Sequence, residues 1–314
     1  MRIAPAIAAR PVATRRSAFT FSGSTILLLK EFSVEAVVEA LHAHAVTHVL
    51  LVPATINVIN HHPGIDDEHF PHLELVIYGA SPIAPEVLRR ALDVFGCGFF
   101  QLYGMTETCA CSILRPDAHD PELRAGLLAS AGTDAITFET LVVDGDGRPC
   151  PVGTVGEIVT RGPAVMTGYW DDPDETASAL RGGWMHTGDL GYRSEEGYLY
   201  VTDRLKDMII TGGENVYPRE IEDALYAHPD VLEAAVIGVP DEEWGERVHA
   251  IVVRKPGVTI SADDLVAHCR QQLARYKCPK SVAFADSLPK NATGKVLKKE
   301  LRELSPPSTL PVGR

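Results

Sequence analysis

Strand-like and helix-like segments alternate through the first third of the chain, and this alternation limits the fold more than any other feature. Apolar runs at 46–53, 73–78 and 98–103 have the length of strands, and a helical pattern at 85–95 lies between the last two. Strands that alternate with helices predict a parallel sheet, which binds ligands at the carboxyl ends of its strands. An α/β fold is therefore expected.

Gly79 and Tyr103 stand at the carboxyl ends of two predicted strands, which makes both candidates for ligand contact. A tyrosine at such a position is otherwise more often part of a core. A further buried strand is predicted at 24–32, and Ser33 then has the side chain of a helix N-cap.

The pattern changes along the rest of the chain. Short β runs at 127–170, separated by glycine-containing turns at 144–147 and 151–153, predict an antiparallel β subdomain. Beyond Asp203 a compact α+β unit is expected. Its predicted elements are helices at 218–227, after Ser261 and from Val296, and strands at 231–239, 249–253 and 281–284.

Composition narrows the class of protein. The 314 residues are 45% hydrophobic, enough for a large core, and carry a net charge of −13. Acidic residues are spread along the chain, which argues against a nucleic-acid or anionic-membrane surface. No apolar run approaches the roughly 18 residues of a membrane span. The six cysteines lack paired CxxC spacing, which predicts reduced thiols and a cytoplasmic setting.

Four motifs follow one another along the chain. They are Tyr-Gly-Met-Thr-Glu at 103–107, Thr-Gly-Asp-Leu-Gly at 187–191, the charged and glycine-containing run at 203–215, and Pro-Lys-Asn-Ala-Thr-Gly-Lys at 289–295. Each alone is typical of an ordinary turn or surface segment. In combination they resemble the adenylate-forming superfamily over residues 19–304, and their wording is most similar to acyl-CoA synthetases of the fatty-acid type.

The resemblance implies an α/β fold made of a partial adenylation N-terminal domain and a small α+β C-terminal lid domain. The N-terminal part would comprise a parallel sheet with helices at 19–126 and an antiparallel β subdomain at 127–202. The lid would follow at 203–304. Residues 1–18 are expected to be an unrelated or disordered leader, and 305–314 a tail.

The resemblance also assigns roles to the first motifs. Gly79, Ala80 and Ser81 would bring bare backbone against the adenine of ATP or AMP. Tyr103 would cover the opposite face of the base, and Gly104 would also contact the nucleotide.

Phosphate and ribose contacts are implied by the resemblance as well. Thr106 would hydrogen-bond the α-phosphate, and Glu107 would bind Mg²⁺, a hard cation that prefers carboxylate oxygen. Asp189 would accept both ribose hydroxyls with its two oxygens. Arg204 would contact the ribose and phosphate region.

The last two motifs imply movement between half-reactions. Lys295 matches the family's catalytic lysine, whose charge bridges the substrate carboxylate and the α-phosphate. Lys206 would be the pivot of the lid. The loop that contains Gly212, Gly213 and Asn215 would then face the thiol.

The reaction implied is ATP plus a carboxylic acid giving acyl-AMP and pyrophosphate, followed by displacement of AMP by the thiol of CoA. The motif wording favours medium to long fatty acids, while aryl acids and an acyl-carrier thiol stay open. ATP or AMP, Mg²⁺ and CoA are the expected ligands, and no nucleic acid is expected.

The family's Ser/Thr/Gly-rich phosphate loop has no counterpart here, and 21–25 is the nearest look-alike. The resemblance therefore implies a chain that is truncated at its front, with strands at 26–29 and 49–52 exposed. A complementing N-terminal half chain or a homo-oligomer is the partner expected. A non-catalytic nucleotide-binding remnant and the C-terminal half of a split enzyme remain alternatives. Gly-Thr-Asp at 132–134 departs from the family's turn and is expected to weaken the local fold.

Overall fold

The computed structural model describes residues 23–291 and 294–304. These residues form two compact units. The first contains the described residues up to Thr187 together with 191–201 and Gly294–Lys295, and the second contains 188–190, 202–291 and 296–304. None of the helices within the described ranges is long and apolar enough to cross a membrane.

A five-stranded sheet organises the first unit. Its strands, in spatial and sequence order, are β1 (His48–Leu51), β2 (Leu75–Gly79), β3 (Gly98–Met105), β4 (Cys109–Leu114) and β5 (Thr133–Asp134). β1, β2 and β3 are parallel, while β4 and β5 pair antiparallel. The helices here are α1 (Val34–Ala43), α2 (Pro53–Asn60) and α3 (Pro85–Phe95). The predicted α/β arrangement is confirmed.

Local sequence signals define these helices. The Ser33 hydroxyl accepts a hydrogen bond from the Ala36 amide at 3.1 Å, so the predicted N-cap of α1 is present. Pro85 occupies the first turn of α3, and Gly96 ends that helix in the left-handed conformation. Because α3 buries residues at helical spacing, one of its faces packs into the core.

One prediction for the front of the unit is wrong, and another holds only in part. Residues 24–32 form no strand in the described structure, since an apolar run becomes a strand only where a neighbour supplies hydrogen bonds. Of the segments expected to be exposed, Leu28 is exposed and β1 lies at the edge of the described sheet, but Val49, Leu50 and Leu51 are buried. Helix α2, which the pattern analysis missed, follows this strand and packs against α3.

A four-stranded sheet has the order β6 (Glu139–Val143), β7 (Gly156–Arg161), β8 (Met185–Arg193) and β9 (Leu199–Arg204). The short helix α4 (Pro173–Ala179) lies between β7 and β8. The segment at 132–134, where the sequence departs from the family's turn, has contacts with this sheet. Asp134 pairs with Arg193 and also accepts a hydrogen bond from the Thr140 amide at 3.1 Å, which ties the turn to this sheet.

The second unit is built on a sheet with the order β11, β10, β13, β12, with β14 parallel to β13. Its elements are β10 (Ile209–Thr211), β11 (Glu214–Val216), α5 (Pro218–Tyr226), β12 (Val231–Asp241), β13 (Gly245–Arg254), α6 (Ala262–Gln272), β14 (Ser281–Phe284) and α7 (Lys298–Leu304). Alternate residues of β13 enter two different apolar clusters, as strand geometry requires. The predicted Ser261 cap is present as a capping box with Asp264.

We expect acid to destabilise the first unit through His119. The ring is buried, and Nδ1 donates to the Arg115 carbonyl at 2.8 Å while Nε2 lies 2.9 Å from the Tyr78 hydroxyl. Burial lowers the pKa of His119 from 6.5 to about 4. The folded state therefore binds this proton more weakly than the unfolded state. Stability from the neutral ring is complete above pH 6.5 and is lost as the pH falls towards 4.

The loss should reach about 3 kcal/mol in the free energy of unfolding, measured by urea titration at a series of pH values. His119→Gln should remove this part of the pH dependence. His44→Gln, at an exposed histidine of the same unit, should leave it in place. An unaltered pH dependence in His119→Gln would contradict the prediction.

Candidate active site

The carboxyl ends of β2 and β3 lie side by side. Their parallel register pairs Gly79 with Leu102, so Ala80 follows β2 beside Tyr103. A Cβ on Gly79 would lie 2.3 Å from the Leu102 carbonyl oxygen, so the strand contact itself requires glycine. Ala80 has a φ of 73°, which costs an alanine about 1 kcal/mol. Backbone strain of this kind is concentrated at functional sites.

Gly104 lies at an irregularity between β3 and β4. The pairing register shifts between Tyr103 and Gly104, as in a β-bulge. A Cβ on Gly104 would lie 1.7 Å from the Cys109 carbonyl oxygen. The absence of a side chain is therefore required by the neighbouring strand, a reason that the sequence motif did not indicate.

The turn at 106–108 joins β3 to β4, and Thr108 holds it. The buried Thr108 hydroxyl donates to the Cys109 carbonyl at 3.0 Å and accepts from the Met105 amide at 3.1 Å. Thr106 is exposed at this turn. The turn thus presents Thr106 outward on a fixed backbone. Thr108 lies just outside the Tyr-Gly-Met-Thr-Glu motif, although a threonine in a tight turn is a recognised sequence signal.

Glu107 follows in the same turn and is half-buried. Its carbonyl accepts from the Met166 amide at 2.7 Å, and its Oε1 accepts from the Tyr169 hydroxyl at 3.1 Å. None of the described lysine, arginine or histidine side chains forms an ion pair with it. The described residues also contain no cluster of three metal-ligating side chains. A lone carboxylate fits Mg²⁺, which takes most of its ligands from nucleotide phosphates and water.

Asp189 and Arg204 form a contact within the second unit. Asp189 is buried, and its Oδ1 lies 3.1 Å from Arg204 Nε. Gly188 precedes Asp189 with a φ of 66°, a conformation that favours glycine. The structure therefore brings together two residues that the sequence placed in separate motifs, and one oxygen of Asp189 is engaged by Arg204.

The predicted turn at Gly212 and Gly213 is present as a two-residue hairpin between β10 and β11. Both glycines have positive φ, of 58° and 85°, as a type I′ turn requires. The Gly212 amide donates to the Trp244 carbonyl at 2.9 Å, and a Cβ on Gly212 would lie 2.6 Å from the Trp244 ring. Asn215 is exposed on β11, the edge strand of its sheet.

Lys206 is exposed, and the acidic residues on either side of it bind helices of the second unit. Asp203 accepts from the Arg219 amide in the first turn of α5 at 2.9 Å, which supplies a cap that Tyr217 does not provide. Asp207 pairs with Arg302 of α7 at 2.8 Å. The sequence indicated a charged hinge here but not these partners.

Lys295 is half-buried and groups with the first unit, as does Gly294. Gly294 has a φ of 80°. A Cβ on Gly294 would lie 3.3 Å from Ala54 Cβ and 3.4 Å from Val52 Cγ2. The backbone immediately before Lys295 thus packs closely at the start of α2, and the glycine permits this approach.

The chain matches the family model of AMP-binding enzymes over residues 16–170 and that of the AMP-binding enzyme C-terminal domain over residues 220–295. It belongs to the AMP-binding enzyme family, as the motifs predict.

Among curated relatives, the chain is 43% identical over 283 residues to a fatty acid–[acyl-carrier-protein] ligase, ScoC, of Streptomyces coeruleorubidus, covering 90% of this chain and 54% of that protein. It is 43% identical to a feruloyl-CoA synthase of an Amycolatopsis species, covering 89% and 56%. The amide bond synthetase McbA of Marinactinospora thermotolerans superposes with a TM-score of 0.89 at 37% identity, covering 96% and 62%. The chain therefore spans about half the length of the curated relatives it matches.

Proposed function

We propose that this chain carries part of the active site of an acid–thiol ligase. In the first step a carboxylate oxygen attacks the α-phosphorus of ATP, and pyrophosphate leaves as acyl-AMP forms. In the second step the thiol of CoA attacks the acyl carbon, AMP leaves and acyl-CoA forms. Lys295, Thr106 and Glu107 would act on the phosphates, and Gly79, Ala80, Ser81, Tyr103, Gly104, Asp189 and Arg204 would hold the nucleotide.

The turn at 106–108 carries this proposal. It offers an exposed hydroxyl and a carboxylate without a cationic partner among the described residues, beside two parallel strand ends. A metal–nucleotide needs such oxygen ligands, and the ends of parallel strands are where α/β proteins bind nucleotides. When bound, Mg²⁺ would neutralise charge on the departing pyrophosphate.

We further propose a medium- or long-chain fatty acid as the acid substrate. A relative named for a fatty acid, ScoC, supports it, and the medium/long-chain-fatty-acid–CoA ligase FadD8 of Mycobacterium tuberculosis, 37% identical over 288 residues, supports it further. Other relatives are named for feruloyl, indoleacetate and 2-succinylbenzoate substrates. An aryl acid is therefore the alternative that the experiment includes.

The test is release of AMP and pyrophosphate from ATP by this chain with a panel of fatty and aryl acids, with CoA present or omitted. Turnover that requires a fatty acid and forms acyl-CoA supports both proposals. Turnover with aryl acids alone would contradict the substrate proposal. ATP binding without turnover would favour the nucleotide-binding alternative, and turnover restored by a separate N-terminal half chain would favour the split enzyme.

We propose that the lid moves between the two steps about Lys206. Asp203 lies before this residue and binds α5, which lies after it, whereas Asp207 and its partner in α7 both lie after it. Rotation at Lys206 would therefore break the first contact and keep the second. In the second step the exposed hairpin at Gly212, Gly213 and Asn215 would then face the thiol. A Lys206→Pro variant, which restricts φ, should impair acyl transfer to CoA more than acyl-adenylate formation.

A further inference from the structure

We propose that Tyr169 is a positioning residue that orients the Glu107 carboxylate toward the metal ion of a bound metal–nucleotide. This inference rests on the proposed function, because it requires Glu107 to ligate that ion. Tyr169 lies outside the four sequence motifs, sixty-two positions after Glu107 in the chain.

The first observation is that one short segment holds both the backbone and the side chain of Glu107. The Met166 amide donates to the Glu107 carbonyl at 2.7 Å. The Tyr169 hydroxyl donates to Glu107 Oε1 at 3.1 Å. Met166 and Tyr169 are three residues apart, so one segment restricts both the backbone of the turn and the side-chain torsions of Glu107. Because the phenol binds Oε1, Oε2 is the oxygen that remains available to a metal ion.

The second observation is that Tyr169 is itself held in place. Its amide donates to Thr176 Oγ1 at 2.9 Å, and the Thr176 hydroxyl donates to the Asp172 carbonyl at 2.7 Å. Tyr169 and Asp172 also form an isolated antiparallel bridge. A Cβ on Gly168 would lie 2.9 Å from Thr176 Cγ2, so the chain approaches Thr176 closely there. The phenol is therefore presented from a fixed turn at the start of α4.

The third observation concerns charge. The group that donates to Glu107 is an uncharged phenol, whose hydroxyl keeps its proton at neutral pH. A neutral donor orients a carboxylate without cancelling its charge, whereas a lysine or arginine would compete with a cation. Partners that orient a metal ligand typically change metal affinity by about 10- to 100-fold when removed.

The test is the metal-dependent gain in ATP affinity, measured by calorimetry without any carboxylic acid so that no turnover occurs. The gain is the ratio of the dissociation constant in EDTA to that in excess Mg²⁺. Tyr169→Phe removes only the hydroxyl and should reduce the gain about tenfold or more, while ATP affinity in EDTA stays within about twofold. Tyr200→Phe is the matched control, since its hydroxyl donates instead to the Gly126 carbonyl at 3.1 Å.

Glu107→Gln separates the two hypotheses. If this variant loses the gain and Tyr169→Phe keeps it, the positioning role is overturned while the proposed function stands. If wild-type protein shows no gain, or Glu107→Gln retains it, the metal assignment in the proposed function fails and the role of Tyr169 fails with it. A loss in Tyr169→Phe that is matched in Tyr200→Phe would also overturn the inference, since it would reflect a general effect of losing a phenol.

Discussion

Lys295→Ala is expected to reduce acid-dependent ATP–pyrophosphate exchange by about 10²- to 10³-fold, or about 3 to 4 kcal/mol in transition-state stabilisation. The proposed role explains the size of the effect. A fixed positive charge between the substrate carboxylate and the α-phosphate offsets repulsion as the two anions approach, and alanine has no group that can replace it. Transfer of the acyl group from supplied acyl-AMP to CoA should fall far less, because in that step no carboxylate approaches the α-phosphate.

Lys299→Ala is the matched control for this experiment. Lys299 lies four residues further on and is exposed on α7, so its removal should leave exchange within about twofold. Thermal unfolding of both variants checks that the fold is retained. Unchanged exchange in Lys295→Ala, in a preparation whose wild-type protein is active, would refute the assignment of this lysine.

Gly104→Ala is expected to lower the free energy of unfolding by about 3 kcal/mol. The new methyl group would lie 1.7 Å from the Cys109 carbonyl oxygen and 3.1 Å from Ala110 Cα, both in the backbone of β4. Backbone atoms cannot rotate away as a flexible side chain can, so β3 and β4 must separate locally. Denaturant unfolding measures the effect, and the separation should also displace the turn that carries Glu107.

Gly126→Ala is the matched control for Gly104→Ala. A Cβ on Gly126 meets no atom within 4 Å, and its φ is not among the positive values. Its free energy of unfolding should change by no more than about 0.5 kcal/mol. Equal stability of the two variants would contradict the prediction. It would show that the strands at Gly104 accommodate a methyl group and that the glycine of the motif is needed for another reason.

Periodicity and local signals predicted much of the fold. The Ser33 and Ser261 caps, helix α3 and strand β14 all follow from side chains close to them in sequence. The run at 24–32 failed as a predicted strand because pairing depends on residues elsewhere in the chain. Helix α2 was missed because its short sequence lies between a buried strand and a histidine-containing loop, where periodicity is weak.

The residues of the candidate site also fall into those that the sequence motifs indicated and those that only the structure revealed. The motifs identified Thr106, Glu107, Asp189 and Arg204 by residue type and order, and family membership is confirmed by the matched family models. They did not indicate Thr108, whose local turn contact the motif does not include, or Tyr169, whose hydrogen bond to Glu107 spans sixty-two positions and has no signature in the order of residues. The ligand roles of the named residues stay predictions that the experiments above address.

By itself, the sequence determined the family, the alternation of strands and helices, and the residue types available for phosphate, metal and ribose contacts. Only the tertiary structure decided why Gly104 and Gly79 must be glycines, which donor meets Glu107, and that Asp189 pairs with Arg204. The physical reason is that caps and helical periodicity depend on side chains within one segment. These contacts instead join atoms of different strands or segments, which come close only after the chain has folded.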